Sequence, residues 1–68
     1  MYAFMVKDSE GGFEITTHNV LDDAQDQFDE TRVKKGEIKV IVQVNKTGKP
    51  FGIGPSGNVF GGEIIDKN

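Results

Sequence analysis

The chain of 68 residues has no cysteine, so neither a disulfide nor a thiolate-held metal can staple its fold. That absence points to a reducing interior rather than to secretion. No apolar run approaches the roughly 20 residues that a helix needs to cross a bilayer. The N-terminus has no basic segment followed by an apolar one, so no secretory leader is expected. The expected location is the cytoplasm. Histidine occurs once, at position 18. A Ser-His-acid triad or a histidine-based metal site would have to use it. Ser9 and Ser56 both fall in expected turns, neither in a nucleophile elbow, and His18 beside a helix start reads as a surface residue. No enzymatic activity, metal or cofactor is therefore expected. Basic residues are also few, 8 Lys and Arg against 11 Asp and Glu, for a formal charge of −3. Nucleic-acid binding driven by net charge is disfavoured, whereas a basic protein partner is permitted.

What the chain does have is one amphipathic stretch, Asn19 to Thr31, around which the rest is organised. Asn19 suits an N-cap, because its side-chain carbonyl can accept from backbone N–H groups that otherwise lack a partner. Asp22 and Asp23 follow in the first turn, at the positive end of the helix dipole. Val20, Leu21, Ala24, Phe28 and Thr31 recur at three- and four-residue steps and share one face. At about 100° per residue, Asp22, Asp26, Asp29 and Glu30 fall on the opposite face, with Asp23 at its margin. Lys34, Lys35 and Gly36 read as a basic last turn and a stop, although Val33 on the acidic side would favour an earlier end.

Strands flank this helix. Tyr2, Phe4 and Val6 alternate with Ala3, Met5 and Lys7, and Phe13, Ile15 and Thr17 alternate with Glu14 and Thr16. The polar turn from Asp8 to Gly12 joins the two runs into a hairpin. Glu37 to Val44 is the strongest strand, with Ile38, Val40, Val42 and Val44 on one face and Lys39, Ile41 and Gln43 on the other. Asn45 to Gly48 is a turn, and Pro50 to Gly54 a short edge strand. Gly54-Pro-Ser-Gly57 fits a tight turn that sets Ile53 opposite Val59 and sends Phe60 to the other side. Gly61-Gly62 bends the last strand, which Glu63, Ile64 and Ile65 complete. The fold class is α+β in one domain: a small antiparallel sheet in the order β-β-α-β-β-β, with one helix packed on one face.

This plan makes two statements about packing. Phe4, Phe13, Ile15, Leu21, Phe28, Val40 and Val42 should be buried together between helix and sheet. Ala3, Met5 and Ile41 then point to the far face, which a single helix cannot cover. Met5 and Ile41 would form an open patch, extended by Phe60 and covered by a second copy of the chain or by a target.

The remaining motifs are weaker. Gly52-Ile-Gly54-Pro-Ser-Gly57 has the spacing of a dinucleotide fingerprint, but no helix follows it and no parallel βαβ unit holds it, so a tight hairpin explains it. Lys46-Thr-Gly-Lys49 lacks phosphate-loop spacing. The helix carboxylates do not form the glycine-centred loop of a common calcium site, and Asp8 to Gly11 is only a fragment of one. Lys46, Lys49, Phe51 and Phe60 mix basic and aromatic residues in one hairpin, as single-strand binders do, which makes a nucleic-acid module using Lys46, Lys49 and Phe60 the alternative function. The acidic stripe can meet a basic groove or imitate the charge line of a nucleic acid; its bland explanation is a solvated helix face.

From Tyr2 through Val44 the plan of short hairpin, acidic helix and long strand resembles that of very small phage-encoded proteins that inhibit host machinery, among them anti-CRISPR proteins and inhibitors of host RNA polymerase. Val6-Lys-Asp-Ser-Glu-Gly-Gly-Phe-Glu-Ile15 followed by Leu21-Asp-Asp-Ala24 is also similar to antitoxin domains of the HicB type, without their extra strand and DNA-binding tail. The resemblance implies a non-enzymatic protein-binding module that blocks a host protein, in the cytoplasm of a bacterial host, and the acidic stripe implies that this host protein has a basic surface. The expected contact surfaces are the acidic face (Asp22, Asp26, Asp29, Glu30), the Phe60 hairpin, and the open sheet face with Met5 and Ile41.

Overall fold

Alternation in the first eighteen residues produces two strands, β1 (Tyr2–Lys7) and β2 (Phe13–His18), paired antiparallel with Tyr2 opposite His18 and Lys7 opposite Phe13. The structure is a computed structural model that describes residues 1–45 and 49–68. Asp8 builds the turn between the strands: its Oδ1 accepts the backbone N–H of Glu10 and of Gly12, both at 2.8 Å. One helix follows, α1 (Leu21–Glu30), and then β3 (Ile38–Val44). The expected turn at Asn45–Gly48 lies mostly in residues 46–48, outside the described residues.

The C-terminal third departs from the expected plan. Instead of one strand after the tight turn there are two, β5 (Val59–Phe60) and β6 (Gly62–Lys67), preceded by β4 (Gly52–Ile53). Among the described residues β4 and β5 pair only with each other, and Ile53 does stand opposite Val59. Gly57 takes the left-handed conformation that the three-residue turn requires, with φ 88°. Gly61, at φ 79°, makes the break: a Cβ there would strike the Pro50 carbonyl and Phe51. The chain therefore leaves the hairpin at Gly61, and β6 returns to pair with β3. The main sheet has the order β2-β1-β3-β6, in place of the sequential meander expected.

The sheet is covered on both faces. Phe4 and Ile41 meet Ala24 and Phe28 beneath the helix, with Tyr2, Val6 and Leu21 around them. The Phe4 and Phe28 rings pack edge to face, with centroids 6.2 Å apart and an interplanar angle of 85°. On the other face Ala3, Met5, Val40 and Val42 pack against Ile53 of the small hairpin, with Ile38, Val44, Phe51 and Val59 beside them. The expectation that Met5 and Ile41 are solvent-facing is therefore wrong: both are completely buried. Register explains it. Phe4 lies opposite Ile41 and Met5 opposite Val40, and residues directly opposite share a face of the sheet. Ile41 goes with Phe4 to the helix, while Val40 and Val42 go with Met5 to the hairpin, the reverse of the expected assignment for β3.

Phe13 and Ile15 are not in the core either. They lie opposite Lys7 and Met5 on the hairpin side, but on the outermost strand, and remain 56% and 38% exposed. The ends of the helix also differ from expectation. Val20, not Asn19, is the N-cap, and no side chain caps it. Lys34 and Lys35 lie beyond the helix, in a turn. Its C-terminal carbonyls are met instead by Lys39 from β3, whose Nζ donates to the Phe28 carbonyl at 2.7 Å and the Thr31 carbonyl at 3.0 Å, and stands 4.1 Å from the Phe28 ring centre.

Candidate protein-binding surfaces

The helix is fixed over the sheet by its apolar side and by polar contacts at both margins. Over β2, the Gln27 side-chain oxygen meets His18 Nε2 at 2.6 Å, and its amide donates to Thr16 Oγ1 at 3.3 Å. The histidine thus ties strand to helix. On the opposite margin the Gln25 amide donates to Asp29 and to Asp66 of β6, each at 3.2 Å.

This anchoring leaves Asp22, Asp23, Asp26, Asp29 and Glu30 exposed on the outward side. The wheel places Asp23 and Glu30 on the same margin as Gln27, the one above β2. Glu14, on the helix-facing side of β2 opposite Val6, adds a carboxylate below them. Three carboxylates, Glu14, Asp23 and Glu30, therefore stand on the β2 side of the molecule.

Of the other expected contact residues, Phe60 is 51% exposed. Its ring rests over Gly52, where a Cβ would come within 3.0 Å of it, so part of the aromatic face is spent on the hairpin's own backbone. Met5 and Ile41 are inside the fold and cannot reach a partner. Of the alternative nucleic-acid set, Lys49 is exposed, Phe60 is as described, and Lys46 lies outside the described residues.

Sequence reasoning missed the apolar edge. Phe13 and Ile15 stand exposed on β2, and Phe13 borders two shallow clefts. One is lined also by Val6, Asp8, Gly12, Glu14 and Glu37; the other runs between the β1–β2 turn and Ile53, Gly54 and Pro55 of the hairpin. Lys7 also lines the second, its Nζ donating to the Pro55 carbonyl at 2.6 Å. The alternation of Phe13, Ile15 and Thr17 was the available signal; the position of β2 at the sheet margin was not.

Among the described residues no group of three or more His, Cys, Asp or Glu side chains is placed to hold a metal ion. No helix among them is long and apolar enough to cross a membrane. No protein-family model, curated protein or solved structure matches this chain.

Proposed function

We propose that the protein is a non-enzymatic binding module that acts by occupying the surface of a basic partner protein. The observation that carries this reading is the outward side of α1. Five carboxylates stand exposed there on a helix whose inner side and both margins are fastened to the sheet. A charged surface held in place loses little freedom on docking, and it raises the rate at which an oppositely charged partner is met. In its most concrete form the module is a phage-type inhibitor that blocks a host protein, a form supported by the hairpin, acidic helix and long strand of residues 2–44.

The test begins with capture of the tagged chain's partner from its native host. Association of that partner is then measured for the parent and for Asp26→Lys with Glu30→Lys. The double variant should associate about tenfold more slowly and melt like the parent, because neither side chain is buried. Added salt should slow the parent and leave the variant nearly unchanged. Equal rates for the two proteins at low salt would reduce the acidic face to an ordinary solvated surface.

A further inference from the structure

We propose, resting on the reading of this chain as a protein-binding module, that the outer edge of β2 accepts an extended segment of the partner as a fifth strand. We further assign that segment an alternating pattern, basic toward the helix and apolar toward Phe13 and Ile15.

The backbone sets this up. Asp8 donates to the Gly12 carbonyl at 2.8 Å, and Val44 donates to the Met1 carbonyl at 3.0 Å. With the registers of β1 against β2 and β3, these two bonds fix the alternation of the ladders. Tyr2, Phe4 and Val6 bond toward β2, and Ala3, Met5 and Lys7 toward β3. On β2, Glu14, Thr16 and His18 therefore bond inward, while Phe13, Ile15 and Thr17 aim their N–H and C=O groups at the free side. β2 ends the sheet, so each of these outward residues offers one donor and one acceptor to an added strand.

The two edges of the sheet are not alike. β6 pairs with a register shift opposite Ile41 and Val42, and carries Glu63, Asp66 and Lys67 within six residues. A bulge and closely spaced charges are the usual protection of an edge against pairing. β2 pairs with β1 in unbroken register and contains no proline and no lysine. Its hairpin-side residues are the exposed Phe13 and Ile15, which an apolar side chain on the incoming strand would cover.

Charge chooses the occupant. A second copy pairing through β2 would be related by a twofold axis perpendicular to the sheet. Both α1 helices would then lie on the same side, with Glu14, Asp23 and Glu30 of each copy drawn toward those of the other. Each chain carries −3, and like charges brought together in this way oppose the contact. A strand with Lys or Arg at every second position reverses the sign: its basic side chains stand beside Glu14 and beneath Asp23 and Glu30, while the alternate residues lie on Phe13 and Ile15.

The probe is a labelled, end-capped hexapeptide alternating Lys and Val, compared with one alternating Glu and Val, each titrated by fluorescence anisotropy. The Lys peptide should bind at least about tenfold more tightly, and the amide resonances of Phe13, Ile15 and Thr17 should shift on its addition. Ile15→Pro removes one outward N–H and no inward bond, so it should keep the parent's circular dichroism and lose at least about tenfold in peptide affinity. If that variant fails to fold, Thr17→Pro makes the same test two residues along. Absence of Lys-peptide binding, equal binding of the two peptides, or affinity untouched by either folded proline variant would overturn the proposal. A parent of twice the monomer mass that Ile15→Pro converts to monomer would assign the edge to a second copy instead. A captured partner that loses affinity for the helix-face variant but not for Ile15→Pro would leave the acidic-face reading standing and remove this one.

Discussion

Above the sheet, α1 buries one large group and one small one, Phe28 and Ala24, against Phe4 and Ile41. Below it, two strands of two residues each bring Ile53, with Phe51 and Val59, onto Met5, Val40 and Val42. The upper layer is held by ring packing and by side-chain bonds at the helix margins. The lower layer is held by aliphatic contact and by the geometry of one tight turn. Each face also has a lysine reaching from the sheet to backbone carbonyls of the covering layer, Lys39 to the helix end and Lys7 to Pro55. The contrast shows how a short chain raises its buried fraction: the middle layer is used twice, so each strand residue of β1 and β3 can contribute whichever way it points.

The largest effects should come from emptying either layer. Phe28→Ala is expected to cost about 3–5 kcal/mol and Met5→Ala about 2–5 kcal/mol in urea unfolding. Either loss is a large share of the stability of a domain this size. If Phe28→Ala unfolds the chain while Met5→Ala leaves it unchanged, the hairpin layer is a cover and not a core. The lysines should separate more finely. Lys39→Met keeps the stem over Phe28 but removes two charged bonds to helix carbonyls, for an expected loss of about 1.5 kcal/mol. Lys7→Met removes one bond at an exposed site and should cost about 0.5 kcal/mol. Thermal melting of both variants would check the order, and a reversal would mean that the hairpin depends on its polar tie more than the helix does.

Much of the α+β architecture was legible from the residues. The first hairpin followed from alternation and a glycine turn, the helix from its three- and four-residue steps, and the Gly54–Gly57 turn from proline and glycine at fixed offsets. What periodicity could not supply was phase between strands. In β3 four branched residues face one way and Ile41 stands alone on the other, between Lys39 and Gln43. Counting alone sends the four to the helix. In the structure Ile41 is the residue that meets Phe28, and Lys39 beside it is recruited as the helix cap, because its long stem can lie on a ring while its charge reaches carbonyls. The second hidden element was the break at Gly61. Its double glycine announced a bend but not that the strand beyond would change sheets, and that change puts a lid on the face that would otherwise lie open.

Of the candidate surfaces, the exposure of the acidic helix side could be read from the sequence, since Asp and Glu have no reason to face an aromatic core. The β2 edge could not. Phe13 and Ile15 look like core residues in any pattern of alternation; only the order β2-β1-β3-β6 leaves them outside.

That same order bears on how the molecule responds to force. β1 and β6 each run antiparallel to β3, so they run parallel to one another, and the first residue of β1 and the last of β6 lie at opposite ends of the sheet. Tension applied through the two chain ends acts along the strands and loads the ladders on both sides of β3 in shear. Their hydrogen bonds must then give way together, not one after another as in a zipper. This geometry makes the sheet resist tension along its strands.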